Sequence, residues 1–480
     1  MREHASIWQR TAEPAAREAL PGDLEAEVAV IGAGLAGVLI ADRLKRMGLC
    51  TVVLEAARIG SGQTGRTTAK ITAQHGMIYD ALIRNFGEAK AAQYARANAW
   101  AVQAYARMIR ERGIDCGFRG ASAYLYSTVD GAPLRREAEA ARRLGLDADF
   151  VVGTELPFPV AGAARLSHQA CFHPLKFLEA VSRELEIYES TRVLAVEGGA
   201  LRTDRGTVRA GKVVFATHFP FINVPGWYFM RMHQERGYVL GLESAWLPEG
   251  MYLGTDADGL SFRTAEGLLL IGGGAHRTGE NSAGGWYDGL CARAKELLND
   301  FREAVRWSAQ DCVTLDGVPY IGRFSASTPD WYVATGFGKW GMTGAMVAAE
   351  VIAGLIAGEP PEWAEVFSPE RFHLAASARN LATEAAQSVK GLTRGALLPP
   401  GAPAEDLPIG HGGVVEAQGR KRGVCRDADG SRCAVRPRCP HMGCQLEWNP
   451  DEQSWDCPCH GSRFDRDGRC IDNPAQSDLD

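Results

Sequence analysis

Hydrophobic and polar positions follow two different patterns along this chain of 480 residues. Over about residues 1–375, short apolar runs alternate with longer segments of helical periodicity, which is typical of an α/β fold. From about residue 408 the runs shorten to segments such as GGVVEA at 412–417, and Asp-Gly turns separate them. These short runs predict a small all-β domain. Residues 376–407 predict a helix followed by a linker rich in proline and glycine.

An apolar strand, a glycine turn and an amphipathic helix follow one another at the start of the α/β part, in VAVIGAGLAGVLIADRLKRMG. Gly32, Gly34 and Gly37 hold the fingerprint positions that permit a tight turn, the approach of a pyrophosphate and close helix packing. The helix N-terminus adds free N–H groups and a positive dipole end. A second strand ends at Glu55, where an acid binds ribose hydroxyls and disfavours the 2′-phosphate of NADP. The pattern predicts a dinucleotide site and leaves NAD and FAD open.

Composition narrows the function classes only slightly. The net charge of −6 is mild, so there is no electrostatic case for nucleic acid as a partner. The longest apolar stretch, AMVAAEVIAGLIAG, is shorter than the roughly 18 residues of a membrane span and contains Glu350. The first 27 residues mix acids and bases without an apolar core, unlike a signal peptide. We therefore expect a cytoplasmic protein with no membrane partner.

Cysteines concentrate near the C-terminus, where seven of the twelve follow residue 420. Clustered cysteines in a cytosolic chain favour metal binding over a disulfide framework. Cys439 and His441 form one Cys-x-His pair, and Cys457 and His460 form a Cys-x-x-His pair. Two thiolates and two imidazoles suit either zinc or an iron–sulfur cluster. The additional cysteines beside both pairs favour iron–sulfur, with zinc as the alternative.

Four later segments separate FAD from NAD. They are RIGSGQTGRTTAKITAQHG (58–76), KVVFATH (212–218), DGVPYIGR (316–323) and the strand, glycine turn and helix at 331–356. With the fingerprint, they resemble the D-amino-acid-oxidase-like family of FAD-dependent oxidoreductases over about residues 25–375. The resemblance implies an α/β FAD-binding domain of the Rossmann-like, glutathione-reductase type with an α+β substrate domain.

The resemblance also implies roles for individual residues. By position, those expected to bind FAD, besides the fingerprint and Glu55, are Ser61, Gly62, Thr64, Gly65, Val193, Gly336, Gly338, Gly341 and Met342. His75, Arg231 and Tyr238 are catalytic candidates, and no catalytic base is assigned. His75 is expected either to face the flavin, even through a covalent link, or to be a hydrogen-bonded loop histidine. His218, His233 and His276 are further candidates for the substrate cavity.

The C-terminal motifs, C-x-H-x-G-C and C-P-C-H-G-S-x-F, resemble those of Rieske domains over about residues 408–480. The resemblance implies a [2Fe–2S] cluster with Cys439 and Cys457 on one iron and His441 and His460 on the other. It also implies a disulfide between Cys444 and Cys459, and a hydrogen bond from Ser462 to a bridging sulfur. Imidazole ligands raise the potential of such clusters to about −150 to +300 mV.

These resemblances imply a division of the chain into three domains. The predicted FAD-binding domain comprises 1–90, 150–225 and 310–375, the substrate domain 91–149 and 226–309, the helix and linker 376–407, and the Rieske domain 408–480.

The implied function is that of an oxidoreductase with two centres. FAD would accept a hydride from a small amine or amino acid, and single electrons would pass through the cluster to an electron-transfer protein or to oxygen. Two alternatives stay open: inward flow from a protein donor through the cluster to FAD, and a redox sensor with little turnover.

Overall fold

The computed structural model describes residues 4–371, 407–417, 419–427 and 429–480. The helix and linker predicted at 376–407 lie outside these residues except for Leu407. No helix among the described residues is long and apolar enough to span a membrane.

The elements are as follows. The helices are α1 (Ile7–Thr11), α2 (Leu35–Arg46), α3 (Tyr79–Phe86), α4 (Glu88–Arg112), α5 (Ala132–Arg143), α6 (Pro174–Ser182), α7 (Trp286–Leu297) and α8 (Gly341–Ala357). The strands up to residue 335 are β1 (Leu24–Ile31), β2 (Thr51–Leu54), β3 (Lys70–Ile71), β4 (Arg119–Ser127), β5 (Ala148–Val151), β6 (Gly162–Cys171), β7 (Glu186–Tyr188), β8 (Val193–Glu197), β9 (Ala200–Thr203), β10 (Thr207–Phe215), β11 (Met232–Ser244), β12 (Met251–Gly254), β13 (Ser261–Ala265), β14 (Leu268–Arg277), β15 (Phe301–Thr314), β16 (Tyr320–Ser325) and β17 (Thr328–Thr335). The C-terminal strands are β18 (Gly412–Ala417), β19 (Arg420–Arg426), β20 (Arg432–Val435), β21 (Glu447–Asn449), β22 (Ser454–Asp456), β23 (Arg463–Asp465) and β24 (Cys470–Asp472).

The first sheet has the order β16-β17-β10-β1-β2-β7, and the β8–β9 hairpin joins it at β10. Its central strand β1 runs parallel to both β2 and β10. A parallel strand is buried on both faces, which explains the unbroken apolar run from Val28 to Ile31. Ligands of such sheets bind beyond the carboxyl ends of the strands, so the glycine turn after β1 lies at the expected edge.

The second sheet has the order β15-β11-β14-β13-β12-β4-β6-β3, with β5 paired to β6. The long strands β11 and β15 pair along their whole lengths, from Met232 opposite Thr314 to Ser244 opposite Phe301. Strand β6 falls inside the predicted FAD-binding segment 150–225, yet it pairs antiparallel with β4 in this second sheet. A long-range pairing of this kind leaves no local signal, and the domain boundaries stay a prediction.

The C-terminal domain is all-β, as predicted, and has its own core. Two antiparallel sheets form it, β18-β19-β20 and β21-β22-β23-β24. Trp448, Trp455 and Phe464 fill the space between them together with the buried cysteines. This core is separate from the apolar clusters of the two large sheets. We therefore expect the C-terminal domain to hold its shape independently of the other cofactor site.

A buried carboxylate docks this domain onto the second sheet. Arg236 on β11 is fully buried and donates to Glu452 at 3.0 Å. The hydroxyls of Ser308 and Tyr287 donate to the same carboxylate, each at 2.6 Å, and Arg463 lies 3.6 Å away. Burial raises the pKa of Glu452, but Arg236 and Arg463 outweigh that effect and bring the pKa to about 2. Glu452 is thus a link between the domains that is negatively charged at neutral pH.

Two glycines between β14 and α7 let the C-terminal domain approach closely. A Cβ on Gly279 would lie 2.6 Å from the backbone nitrogen of Pro458, and one on Gly284 would lie 2.5 Å from the Pro450 ring. The backbone at Gly279 and Gly284 therefore packs directly against two prolines of the C-terminal domain.

We expect Glu452→Gln to loosen this docking, because it leaves Arg236 buried without its carboxylate. Breaking a buried pair costs about 3–5 kcal/mol. The midpoint of urea unfolding, followed by the circular dichroism of the cluster, should fall accordingly, whereas Glu416→Gln at an exposed position of β18 should leave it unchanged. The depressed pKa adds stability above the ordinary glutamate value of about 4.3, and this stability disappears as the pH falls towards 2. Equal midpoints for the two variants would contradict the assignment.

Candidate cofactor sites and substrate cavity

One cavity of about 1270 Å³ runs between the two large sheets and reaches the C-terminal domain. The glycine turn after β1 lines one end, and the turn before α8 lines another part of the wall. The C-terminal domain contributes Cys470, Ile471, Asp472, Asn473 and Gln476. Three separate stretches of sequence therefore enclose a single space.

The fingerprint glycines have the geometry that the sequence predicts. Gly32 has a φ of +102°, and a Cβ there would lie 2.6 Å from the carbonyl oxygen of Ala216. A Cβ on Gly37 would lie 1.9 Å from the carbonyl oxygen of Gly32, so no larger residue fits at that position. Gly34 lines the cavity at the start of α2. This turn therefore brings backbone N–H groups to the cavity with no side chain in the way, as a pyrophosphate requires.

Polar groups beside the turn complete the adenosine end. The Glu55 carboxylate accepts the N–H groups of Ala33 at 2.7 Å and Ala57 at 2.8 Å, and it lines the cavity with Val193. Burial raises the pKa of Glu55 from its ordinary value. Thr64 accepts the N–H of Leu35 at 2.9 Å. Glu55 is thereby fixed in place, with lone pairs left for hydroxyls of a nucleotide.

The remaining predicted FAD residues divide into two groups. Ser61, Gly62, Gly338, Gly341 and Met342 line the cavity. At Gly62 and Gly338 no atom of the described chain lies within 4 Å of where a Cβ would be. This open space is a cradle that a flat ring system or phosphate fits. Because α8 begins at Gly341, its positive dipole end also faces the cavity.

Gly65 and Gly336 serve packing instead of lining the cavity of the described chain. A Cβ on Gly65 would lie 2.6 Å from the Gly60 carbonyl oxygen, and one on Gly336 would lie 2.3 Å from the Thr314 methyl group. Both glycines are thus needed for the shape of the cradle.

Of the three catalytic candidates, only Tyr238 lines the cavity of the described chain. Its hydroxyl accepts a hydrogen bond from Asn281 at 3.0 Å, and its ring stacks on His276 and on Trp286, a further cavity residue. Arg231 donates to the Pro369 carbonyl at 2.5 Å and lies over the Tyr320 ring. The Arg231 guanidinium therefore contacts groups inside the fold and does not line the cavity of the described chain.

Of the two alternatives predicted for His75, the structure shows the hydrogen-bonded loop histidine. Its Nδ1 lies 2.6 Å from the Tyr94 hydroxyl, and its Nε2 lies 2.8 Å from the Thr72 carbonyl oxygen. Its ring stacks on Trp340, a cavity-lining residue. Burial lowers the pKa of His75 to about 3, so the ring is neutral. Its role in this structure is to support Trp340.

Sequence reasoning missed a lysine that lines the cavity, Lys70. Its ammonium donates to the Tyr252 carbonyl at 2.9 Å and to the Ser261 hydroxyl at 2.5 Å, both uncharged. Burial lowers the pKa of Lys70 to about 7, and the positive charge of Arg263 adds to the effect. The sequence signal that could have indicated Lys70 is its place in the segment 58–76, shortly after Gly65 of the predicted flavin loop.

At the C-terminal site, the rings of His441 and His460 are nearly perpendicular to each other, and their centroids lie 5.0 Å apart. The Nδ1 of His441 is buried and has no hydrogen-bond partner in the described part of the chain, whereas its Nε2 lies 2.8 Å from the Asn223 Oδ1. The thiol of Cys457, hydrogen-bonded to the Cys439 sulfur, lowers the pKa of Cys439 to about 7. Two adjacent thiols, two adjacent imidazoles and an unsatisfied ring nitrogen fit a [2Fe–2S] cluster with mixed ligands.

The supporting residues of the cluster loops are also placed close by. Cys444 and Cys459 are joined by a disulfide, with their Cα atoms 6.7 Å apart. Ser462 is fully buried, and its hydroxyl accepts the N–H of Ala475 at 3.0 Å. Its hydroxyl hydrogen is therefore available to a neighbouring sulfur.

The second sheet covers the edge formed by the two histidines. Gln234 donates to the carbonyl of His460 at 2.7 Å, and Gln310 donates to that of Gly461 at 2.8 Å. Arg277 donates to the carbonyls of Pro458 and Cys459, both at 3.0 Å. The loop that carries His460 is thus fixed against β11, β14 and β15.

Comparison with family models divides the chain in the same way. Residues 27–355 match the model described as FAD dependent oxidoreductase, and residues 400–480 match the Rieske [2Fe-2S] domain. A Bacillus subtilis (strain 168) protein, YhfW, carries a provisional name as a Rieske 2Fe-2S iron-sulfur protein. It is 36% identical over 99% of this chain and 98% of its own length. A cytochrome b6-f complex iron-sulfur subunit of Nostoc sp. (strain PCC 7120) is 46% identical over 9% of this chain, a quarter of that subunit.

Solved structures share the fold of the larger part. Glycine oxidase from Geobacillus kaustophilus matches 73% of this chain and 99% of its own, with a TM-score of 0.62 and 20% identity. L-proline dehydrogenase from P. horikoshii matches 74% of this chain and 99% of its own, with a TM-score of 0.61 and 19% identity. L-amino acid deaminase from Proteus vulgaris matches 75% of this chain and 100% of its own, with a TM-score of 0.60 and 16% identity.

We expect Gly34→Val to abolish FAD binding, because the side chain would occupy the space that a pyrophosphate needs at the start of α2. The protein should purify without flavin absorbance yet keep the visible circular dichroism of the cluster, because the two cores are separate. Gly153→Val, at an exposed site with open space around its Cα, is the matched control and should retain flavin. Full flavin occupancy in the Gly34 variant would show that the turn is only structural.

Proposed function

The chain belongs to the family of FAD-dependent oxidoreductases and carries a C-terminal Rieske domain, and from this we propose that it oxidises a small amino acid and passes the electrons through the cluster. It has sites for two cofactors, FAD and a [2Fe–2S] cluster. FAD supplies two-electron chemistry by accepting a hydride, whereas the cluster carries one electron at a time.

The wall shared by the two sites is the observation that carries this proposal. Asp472 and Asn473 belong to the C-terminal domain and line the cavity that holds the FAD cradle. Arg463 donates to Asp472 at 2.9 Å and directly follows Ser462 of the cluster loop. Asn473 also donates to the carbonyls of Thr217 and Phe219, both at 2.7 Å. The cavity is therefore incomplete without the domain that binds the cluster.

The cavity supports an amino acid as the substrate. Lys70 offers a positive charge whose two protein partners are uncharged, which leaves the charge for a substrate carboxylate. Trp286, which stacks on the buried ring of Tyr238, supplies an apolar, aromatic surface for a side chain. The glycine oxidase, L-proline dehydrogenase and L-amino acid deaminase with the same fold carry names that refer to amino acids.

Asp311 is our candidate for the group that receives the amine proton. An ammonium must lose a proton before a hydride can leave the adjacent carbon, because the nitrogen lone pair stabilises the positive charge that develops. Asp311 lines the cavity, and burial raises its pKa to about 6, although the charge of Lys339 opposes this. Near neutral pH it is a carboxylate that is able to accept the proton.

The proposal is tested by mixing protein anaerobically with L- and D-amino acids, simple amines and 2-hydroxy acids in a stopped-flow instrument. With the right amino acid, the flavin absorbance should bleach first and the circular dichroism of the cluster should change afterwards, within one turnover. If the cluster never responds to flavin reduction, the shared path is wrong. Bleaching only by a 2-hydroxy acid would contradict the proposed substrate class, and bleaching by reduced carrier protein alone would indicate inward flow.

We expect Lys70→Met to lower kcat/KM for a carboxylate-bearing substrate about 10- to 100-fold, since a charge-assisted hydrogen bond contributes about 1.5–3 kcal/mol. Because the pKa of Lys70 is about 7, the ammonium is lost and KM should rise as the pH increases through 7. Lys70→Arg should remove this pH dependence, since arginine stays charged. Lys176→Met, at a surface lysine near Glu266, is the control and should behave as wild type. An unchanged pH profile in Lys70→Arg would exclude this role.

A further inference from the structure

A group of exposed apolar side chains lies beside the cluster loop. In the described chain, Val224 is 59% exposed, Trp227 51%, Met230 49% and Met442 40%. The first three fall within the seven residues 224–230 before β11, and Met442 directly follows the predicted cluster ligand His441. Asn223 joins the two segments through its 2.8 Å contact with His441. We call these four residues the loop surface.

Aromatic rings connect the loop surface to the cluster ligands. The ring centroids of Trp227 and Phe229 are 5.8 Å apart. Phe229 lies 5.7 Å from the ring of His460 and 6.4 Å from the ring of His441. The half-exposed tryptophan is thus separated from both histidines by a single intervening ring.

The backbone at Trp227 is unusual for so large a residue. Its φ of 54° and ψ of 36° lie in the left-handed region, which bulky side chains seldom adopt. Hydrogen bonds hold it there, from the Trp227 N–H to the Asn223 carbonyl at 3.2 Å and from the Met230 N–H to the Trp227 carbonyl at 3.0 Å. Conformations of this kind cluster at functional sites. The loop therefore holds an indole at the surface at an energetic cost.

A carrier has little access to the His460 ring, whereas His441 is partly exposed. His460 is only 4% exposed, and its loop is fixed by Gln234 and Gln310. The loop surface lies where this interface between the second sheet and the C-terminal domain reaches the outside of the protein. At its edge, the exposed Arg438 donates to the carbonyl of Gly443, in the same loop as Met442. The surface therefore combines an apolar centre with a positive charge at the rim.

We propose that the loop surface docks a small acidic protein that carries one electron, and that electrons cross between its cofactor and the cluster by way of Trp227 and Phe229. An apolar centre with a charged rim is typical of transient electron-transfer contacts, and a negative rim on the carrier would match Arg438. This proposal rests on the proposed function, since it assumes that the cluster exchanges electrons with a partner.

The test uses the full-length protein with FAD and cluster and a plant-type [2Fe–2S] ferredoxin as the probe. Its potential lies below the Rieske range, so one electron moves from the reduced ferredoxin to the oxidised cluster. Stopped-flow circular dichroism follows reduction of the cluster. Sodium dithionite, a small reductant whose potential lies below the Rieske range and that needs no docking surface, is the parallel donor.

Trp227→Ser and, separately, Met230→Ser should lower the second-order rate constant with ferredoxin at least tenfold. The rate with dithionite should stay within twofold, which also shows that the cluster is intact. Met47→Ser, at an apolar residue with 37% exposure far along the sequence, is the matched control and should react as wild type. Added salt should slow the wild-type reaction with ferredoxin.

Wild-type rates in both loop variants would overturn the proposal, as would an equal loss in Met47→Ser. A wild-type dimer that Met230→Ser converts to monomer in sedimentation would show that a second copy covers this surface, and would also overturn it. The electrons in this test come from ferredoxin and not from an amino acid. The docking test therefore gives a clear result even if the flavin never reduces the cluster. The docking proposal and the proposed function can thus be refuted independently.

Discussion

The buried contact between Arg236 and Glu452 fixes the position of the C-terminal domain, and the arrangement of both cofactor sites depends on it. Two buried charges are unfavourable unless they meet in good geometry with their remaining hydrogen bonds satisfied. Ser308 and Tyr287 supply those hydrogen bonds to the carboxylate. A slightly different docking position would leave charged groups buried without partners, so the contact selects one orientation among the many that a tethered domain could take.

The strands under this contact show how the sheet is adapted to it. The centre of a large sheet normally packs apolar residues, yet β11 and β15 bury Gln234, Arg236, Ser308 and Gln310. Each of these four side chains forms hydrogen bonds with the C-terminal domain, with another of the four, or with both. Buried polar groups need partners, and here the second domain provides them. The surface of the sheet is thus built for a specific occupant.

The parts of the sites that could be predicted from sequence are those fixed by local geometry. Gly37 is required by a backbone contact with Gly32 within one strand–turn–helix unit, Gly32 takes the positive φ of the turn, and the cluster motifs place their ligands on two short loops. Lys70 and Asp472 could not be found in this way, because their position at the cavity depends on strand pairings far apart in the chain. His75 and Arg231 have residue types common in catalysis, but their partners in the fold are internal. Only tertiary structure distinguishes such residues from Tyr238.

If electrons pass between the two sites as proposed, the wall that Asp472 and Asn473 form between them also determines the kinetic order of that transfer. Two centres built into one chain meet at a fixed distance, so transfer between them is unimolecular and its rate does not change on dilution. The proposed exchange at the loop surface would be bimolecular and would depend on the concentrations of both proteins. A cell that makes more or less of this chain therefore alters only the outer step, and the ratio of the two steps follows the abundance of the carrier.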